Sequence, residues 1–220
     1  MTNRLALFDC DGTLVDSQAN ICQSMEEAFQ LGGLVAPERS AIRRIIGLSV
    51  VEAIAALSPE LDDARHRTLA EEYKASFFRL RASGAMEEEP LFDGMIAALD
   101  DLAKAGWLFG VATGKSDRGL ARILAHHGIA DRFVTLQTAD RHPSKPHPSM
   151  IELAMAEAGA SPETTVMIGD TSYDMMMGRA AGTRALGVAW GYHPPEDLHA
   201  AGAHAVAETV ASLPAHMETV

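Results

Sequence analysis

Phe8-Asp9-Cys10-Asp11-Gly12-Thr13-Leu14-Val15-Asp16-Ser17 is the stretch of sequence on which the prediction of the fold depends. It contains the end of an apolar run, residues 5–8, which predicts a short buried strand. The strand ends at two carboxylates one residue apart, Asp9 and Asp11, and Gly12 then turns the chain. Open α/β sheets bind their ligands beyond the carboxyl ends of the strands, so this acidic pair predicts a functional site.

The two carboxylates indicate a particular chemistry. Two carboxylates held close together are costly to ionise unless a cation or a proton accompanies them. Mg²⁺ meets that need because it binds oxygen ligands. One carboxylate can then act as a nucleophile and the other as an acid or base. The alternative interpretation is that Asp11 and Gly12 simply close a turn, in which both residue types are common.

Composition and charge exclude several classes of function. The chain has 220 residues, of which 47% are hydrophobic and 22% charged, as in ordinary globular proteins. Its net charge of -12 argues against nonspecific binding of nucleic acid or of an anionic membrane. A local cation can still hold an anionic substrate inside one pocket.

Three further features favour a cytoplasmic protein. Cys10 and Cys22 belong to no metal-binding or redox motif, so we expect both to be reduced and packed. The sequence enters its first predicted strand at once, so we expect no signal peptide. No apolar run approaches the length needed to span a membrane.

Residues 18–85 contain no convincing strand and predict four helices from apolar residues at helical spacing. A segment of this length is a plausible small domain. We therefore expect an all-helical domain at residues 18–85, inserted directly after the acidic tip of the first strand. The remaining parts, residues 1–17 and 86–220, are expected to form the catalytic core.

The second part of the chain alternates between strand and helix patterns. Strands are predicted at residues 5–8, 107–112, 133–136, 165–168 and 184–189. This alternation predicts an α/β fold, a Rossmann-like parallel sheet covered by helices on both faces. We expect the last dozen residues to be frayed.

Three more predicted strand ends carry candidate functional residues. Thr113 can bind phosphate oxygens with its hydroxyl, or merely cap a helix. Lys145, which lies between prolines, can neutralise a phosphoryl group, or be an ordinary solvated lysine. Asp170 and Asp174 share a helix face and can bind a metal, or merely favour a helix N-terminus. Parallel strands end at one edge, so these residues and the first acidic pair should converge into a site for phosphoryl transfer to a carboxylate.

The order Asp9-x-Asp11-Gly-Thr, Thr113, Lys145-Pro and Gly169-Asp170-x-x-x-Asp174 resembles the haloacid dehalogenase superfamily. The helical block resembles the C1-type cap of that superfamily, as in phosphoglycolate phosphatase and β-phosphoglucomutase. The resemblance covers residues 5 to about 189 and implies a Rossmann-like core with a mobile helical cap. The dehalogenases lack the second aspartate of the first motif, which this chain keeps as Asp11, so phosphoryl chemistry is favoured over carbon–halogen cleavage.

The resemblance also implies a role for each motif residue. Asp9 would attack phosphorus, and Asp11 would protonate the leaving oxygen and then activate water. The phosphoryl group would lie against Asp9, Cys10, Asp11, Thr113, Gly114 and Lys145. Mg²⁺ would be held by the Asp9 side chain, the main-chain carbonyl of Asp11 and Asp170, with Asp174 nearby and orienting Lys145.

Cys10 and Gly114 belong to the same motifs but carry no proposed catalytic group. The Cys10 side chain should point away from those of its neighbours and pack inward, because side chains alternate along a strand. Gly114 stands where many relatives have asparagine or serine, and we expect little effect on the chemistry.

The favoured function is therefore a Mg²⁺-dependent phosphatase that acts on a small phosphorylated metabolite, phosphoglycolate first, through an aspartyl-phosphate. A sugar-phosphate mutase, a pyrophosphatase and a non-catalytic binding module remain alternatives, and the oligomeric state is open. The helical block should select the substrate, with the turn at residues 47–49 facing the site. Arg43, Arg44 and Lys74 are candidate anion-binding residues or ordinary surface cations.

Overall fold

The computed structural model describes residues 2–219 and contains one six-stranded parallel sheet. The strands are β1 Asn3–Phe8, β2 Trp107–Thr113, β3 Phe133–Thr138, β4 Ala160–Gly169, β5 Arg184–Val188 and β6 Ala205–Ala207. Their order across the sheet is β3-β2-β1-β4-β5-β6, and every neighbouring pair is parallel. The predicted α/β fold with a Rossmann-like parallel sheet is confirmed.

The first strand lies at the centre of the sheet because it pairs on both sides. Leu5 is in register with Leu108 of β2 and with Thr165 of β4. Residues 5–8 are fully buried, as the unbroken apolar run predicts for a strand covered on both faces. The carboxyl ends of β1, β2 and β4 therefore lie side by side at one edge.

Helices cover both faces of the sheet. They are α1 Gln18–Leu31, α2 Arg39–Ile45, α3 Val50–Leu57, α4 Asp63–Ala82, α5 Met95–Lys104, α6 Asp117–His126, α7 Ser149–Ala158, α8 Ser172–Ala180, α9 Pro195–Ala200 and α10 Leu213–Met217. On one face, α5, α6 and α10 contribute to the hydrophobic cluster that contains Phe8 and Cys10. On the other face, α7 and α8 contribute to the cluster that contains Leu5 and Leu7. The side chain of Cys10 packs inward, as predicted.

Helices α1 to α4 occupy residues 18–82, and this fully described segment contains no strand. They share a hydrophobic cluster of their own, in which Met25, Phe29, Ile42 and Leu69 are buried. Tyr192, from the loop after β5, packs against it. The assignment of residues 18–85 to a separate cap domain stays a prediction.

The C-terminal part differs from expectation. The sequence pattern did not reveal α9 or the short strand β6, which extends the sheet beyond β5. The expectation that the last dozen residues are frayed is wrong for the described part. Leu213 and Met217 of α10 are buried in the main hydrophobic cluster, and this burial holds the segment against the sheet. None of the helices in residues 2–219 combines the length and the apolar character needed to cross a lipid bilayer.

Candidate active site

Lys145 links two of the motif carboxylates at the edge of the sheet. Its Nζ lies 2.8 Å from Oδ1 of Asp9 and donates a hydrogen bond of 2.7 Å to Oδ1 of Asp174. All three side chains are almost completely buried. The lysine is therefore part of the acidic cluster, and the solvated loop lysine that the sequence left open is not what the structure shows.

Asp170 lies beside this group and is held by two donors. The Thr13 hydroxyl donates a hydrogen bond of 2.8 Å to Oδ1, and the main-chain N–H of Tyr192 donates one of 2.9 Å to Oδ2. Gly12 allows this arrangement: its φ is +83°, and a Cβ there would overlap the Asp170 carboxylate. The first motif thus positions the fourth motif directly.

Burial and crowding shift the pKa values of these groups. Burial raises the pKa of Asp9 to about 7 against the opposing charge of Lys145, and the Asp174 and Asp11 carboxylates add to the rise. Burial, together with Asp174 and Asp9, also raises the pKa of Asp170 well above its usual range. Burial alone would lower the pKa of Lys145, but the two carboxylates outweigh it and the net shift is upward. The cluster holds more negative charge than one lysine neutralises.

This surplus charge and the donor set fit a divalent cation. One carboxylate oxygen from each of Asp9, Asp170 and Asp174 can be chosen so that all three lie within 4.8 Å of one another. Both carboxylate oxygens of Asp9 are buried, and Oδ1 has Nζ of Lys145 as its ion-pair partner at 2.8 Å. Oδ2 has no donor within residues 2–219, and because buried polar atoms are normally satisfied, this oxygen is free to bind a cation.

Asp174 has three protein donors, more than Asp170 with two or Asp9 with one. Oδ1 accepts from Lys145, while Oδ2 accepts from the Thr171 main-chain N–H at 3.0 Å and from its hydroxyl at 2.7 Å. Thr171 and Asp174 form a capping box at the start of α8. Asp174 therefore caps the helix, which was one of the two interpretations of the sequence, and it also contacts Lys145, as the resemblance implied.

Asp11 faces a different set of partners. Its Oδ1 lies 2.6 Å from Nζ of Lys115 and also accepts from the Ser17 hydroxyl. The Asp11 carboxylate does not belong to the acidic cluster of the other three motif aspartates. It lies instead at the border of a cavity between the sheet edge and the helical block, together with Gly114 and Lys115.

Residues 6–188 match the family of haloacid dehalogenase-like hydrolases. The chain belongs to this family. It is 34% identical over 214 residues to a probable phosphatase, IndB, of Dickeya dadantii, which covers 95% of this chain and 91% of that protein. It is 33% identical to N-acetylmuramic acid 6-phosphate phosphatase of Pseudomonas putida, with 90% and 87% covered.

Two further comparisons agree. Phosphoglycolate phosphatase of Vibrio vulnificus is 27% identical, with 96% of this chain and 94% of that protein covered. The crystal structure of a predicted phosphatase from Clostridium acetobutylicum aligns over 100% of both chains with a TM-score of 0.88; at 24% identity it shows the fold alone. The predicted family is confirmed, and so is the predicted enzyme class, a hydrolase acting on phosphoric monoesters.

In this haloacid dehalogenase-like hydrolase, the second motif lies against the helical block. Thr113 is fully buried, and its hydroxyl accepts from the main-chain N–H of Lys115 at 3.2 Å. A Cβ at Gly114 would lie 2.6 Å from the carbonyl oxygen of Leu48 and 2.8 Å from that of Gly47. The absent side chain therefore lets the turn at residues 47–49 approach the sheet edge, which explains the glycine at this position.

Replacement of Gly114 by alanine should destabilise the hydrolase. The new methyl group would meet main-chain atoms that cannot rotate away, so we expect a loss of about 1–3 kcal/mol in the free energy of unfolding. Urea denaturation measures it. Gly119→Ala is the control, because its Cβ would meet side-chain atoms alone, the Ser116 hydroxyl at 3.2 Å and the Lys115 side chain at 3.9 Å, and alanine favours the helix. Equal stability of Gly114→Ala and the wild type would contradict the close approach.

Three hydrogen bonds also fix the helical block above the sheet edge. The main-chain N–H of Ser49 donates a hydrogen bond of 2.8 Å to the Ser144 hydroxyl. The carbonyl oxygen of Arg44 accepts from the Tyr173 hydroxyl at 3.1 Å and from Nε2–H of His193 at 3.1 Å, while Nδ1 of His193 accepts from the Ser172 N–H. His193 lies in the loop after β5 and is buried.

Two of the three cations proposed from the sequence as anion-binding residues lie outside the cavity, and one cation of the site was not proposed. Arg43 and Arg44 are exposed at the end of α2 and do not line the cavity, whereas Lys74 does. Lys115, Ser17 and Tyr192 were not chosen as site residues. Only Lys115 carried a signal in the sequence, its position directly after the Thr-Gly of the second motif.

Proposed function

We propose that this hydrolase releases phosphate from small phosphomonoesters with Mg²⁺, through an aspartyl-phosphate on Asp9. The observation that carries the proposal is the state of the Asp9 carboxylate. It is buried, Nζ of Lys145 lies 2.8 Å from its Oδ1, and its Oδ2 has no donor within residues 2–219. Such a carboxylate is oriented and available to form a bond to phosphorus.

In this proposal Mg²⁺ is held by the side chains of Asp9 and Asp170 and by the main-chain carbonyl of Asp11. When bound, it neutralises charge on the phosphoryl group, so that an anionic nucleophile can approach. Asp174 would hold Lys145 in place rather than bind the cation directly, because it already accepts from three donors, one of them the Lys145 ammonium, whereas Asp170 has two neutral donors. Thr113, the Gly114 N–H and Lys145 bind the phosphoryl oxygens.

The reaction has two steps. In the first, an Asp9 oxygen forms a bond to phosphorus while the ester bond breaks, and Asp11 gives its proton to the leaving oxygen. In the second, Asp11 takes a proton from water, whose oxygen bonds to phosphorus while the bond to Asp9 breaks. Lys115 and Ser17, which contact the Asp11 carboxylate, fix its position for both transfers.

Residues 18–85 are proposed to act as a cap domain that closes this site and selects the substrate. The contacts of Gly114 and Ser144 with the turn at residues 47–49 support this, since they join the block to two site loops. The relatives suggest candidate substrates. Phosphoglycolate and N-acetylmuramic acid 6-phosphate are the compounds in the names of two of them.

The proposal is tested by phosphate release from the purified protein, with Mg²⁺ and with EDTA. The panel contains phosphoglycolate, N-acetylmuramic acid 6-phosphate, sugar phosphates, nucleotides and pyrophosphate. We expect release from at least one ester, lost in EDTA and restored by Mg²⁺. Release from pyrophosphate alone, or from no compound, would overturn the proposal.

Mg²⁺ binding can be measured without turnover. Because the cation would bind the folded acidic cluster, Mg²⁺ at about 100 times its Kd should stabilise the wild type by about 2.7 kcal/mol. Asp170→Asn should lose most of this gain, since it removes one carboxylate ligand. Thermal unfolding with and without Mg²⁺ measures both, with Asp93→Asn, an exposed site away from the cluster, as the control. An undiminished gain in Asp170→Asn would remove Asp170 from the site.

A further inference from the structure

A cavity of about 760 Å³ lies between the helical block and the sheet edge, bordered by Asp11, Gly114 and Lys115. We propose that it receives the leaving alcohol of a phosphomonoester that has a bulky, largely apolar body and a second anionic group, bound by Arg118 and Arg122. This inference rests on the proposed function and specifies the substrate class of the same site.

The size of the cavity argues for a bulky leaving group. Pockets for drug-sized ligands have volumes of about 300–1,000 Å³, and this cavity lies within that range. A two-carbon ester such as phosphoglycolate would fill a small part of it. The remaining apolar wall would then stay in contact with water. Since this surface would not be buried, it would add nothing to the binding free energy.

The wall contributed by the helical block is apolar and partly aromatic. Its apolar members include Met25, Ile46, Val50, Tyr73, Phe77 and Phe78. The rings of Tyr73 and Phe77 on α4 have centroids 6.1 Å apart, and Phe78 is 54% exposed. Aromatic faces of this kind pack against flat apolar groups, which favours a ring in the substrate.

The cavity is also lined by four cations, and two of them have no acidic partner. Lys115 is paired with Asp11, and Lys74 of α4 is paired with Glu71 at 2.8 Å. In contrast, neither Arg118 nor Arg122 of α6 forms an ion pair with any part of residues 2–219. In a protein of net charge -12, two unpaired arginines lining one cavity indicate an anionic ligand.

The surroundings of the two arginines strengthen this argument. Burial and the like charges of Arg81 and Arg118 lower the pKa of Arg122, and the one acid that attracts it, Glu89, is paired with Arg81 at 2.8 Å. The Arg118 guanidinium lies 5.3 Å from the ring centroid of Phe78, beside the apolar wall. A ligand that joins a ring to a carboxylate or phosphate would meet both the apolar wall and the arginines.

Asp140 is the remaining acid of the cavity lining. Its Oδ2 accepts a hydrogen bond of 2.9 Å from the main-chain N–H of Asp117 at the start of α6. It thus has a structural partner of its own and does not neutralise either arginine.

The second anionic group is tested with a matched pair of esters, phenyl phosphate and 3-carboxyphenyl phosphate. We expect the wild type to prefer the carboxylated ester about tenfold in kcat/KM. Arg122→Met and Arg118→Met should each lower that preference at least threefold, and the double variant should abolish it. Arg67→Met, an exposed arginine on α4 outside the cavity, is the control and should keep the preference. No preference in the wild type, or a full preference in the double variant, would overturn the role of the arginines.

The bulky body is tested by filling the cavity. Ala75→Trp should lower kcat/KM for 3-carboxyphenyl phosphate at least tenfold relative to phosphoglycolate, because the indole occupies the space of the ring. Ala82→Trp, at the exposed end of the same helix, is the control. The role of the bulky body would be overturned if Ala75→Trp lowered kcat/KM equally for 3-carboxyphenyl phosphate and phosphoglycolate. It would also be overturned if the wild type preferred phosphoglycolate over both aryl esters.

The two levels of the proposal fail in different ways. If phosphate is released from the esters with no dependence on ring or carboxylate, the substrate class is wrong and the proposed function stands. If the wild type releases phosphate from none of them or of the wider panel, the proposed function fails and the substrate class fails with it.

Discussion

Asp9→Asn should abolish phosphate release, with a fall in kcat of about 10⁴-fold or more. The amide is a poor nucleophile, so the first bond to phosphorus does not form. The fold should persist, because Lys145 keeps its hydrogen bond to Asp174 when the charge at position 9 is lost. Phosphate release under saturating Mg²⁺ measures the effect, and thermal unfolding checks the fold.

The controls for this prediction address contamination and surface charge. Asp131→Asn removes an exposed carboxylate away from the site and should retain wild-type turnover. A mock purification from host cells that lack the protein measures any phosphatase carried over from the expression host. Wild-type turnover in Asp9→Asn above that background would sink the proposed mechanism.

Lys145→Ala should lower kcat by about 10³-fold, and it should also destabilise the protein. The substitution leaves the buried carboxylates of Asp9 and Asp174 without their shared cation. Breaking a buried ion pair on one side costs about 3–5 kcal/mol, because a buried charge is left uncompensated. Mg²⁺ should recover part of this loss, since it neutralises carboxylates of the same cluster.

Urea denaturation and turnover, each with and without Mg²⁺, separate the two effects of Lys145→Ala. Lys145→Met keeps the length and the apolar stem of the side chain, so it serves if the alanine variant does not fold. Lys104→Ala is the matched control, because Lys104 forms only an exposed pair with Asp101. An unchanged kcat in folded Lys145→Ala or Lys145→Met would remove Lys145 from the reaction.

The residues that define the sheet edge could be predicted because they depend on local patterns. The apolar run before Asp9 and the alternation of strand and helix patterns after residue 90 indicated a parallel sheet. The motif residues Asp9, Lys145, Asp170 and Asp174 then had to lie near one another, since parallel strands end at the same edge. The structure brings these four side chains into one cluster. Their roles in catalysis stay proposals.

The end of the chain shows where local patterns fail. The strand β6 has three residues, and α10 has five, so neither carries enough periodicity to be recognised. Long-range contacts hold both elements in place. Leu213 and Met217 of α10 are buried in the main hydrophobic cluster, and β6 pairs with β5. Likewise, the hydrogen bond of His193 to the carbonyl oxygen of Arg44 joins residues 149 positions apart in the sequence.

The sequence alone determined the family, the α/β class and the four acidic and basic motif residues, because the spacing of a motif and the hydrophobic pattern are properties of the chain itself. Only the tertiary structure decided that Lys115 pairs with Asp11, that Gly114 admits the turn at residues 47–49, and that Arg118 and Arg122 face an apolar cavity. These pairings join segments far apart in the sequence. They depend on which side chains the packing of the helical block places opposite the sheet edge, and no local pattern encodes that.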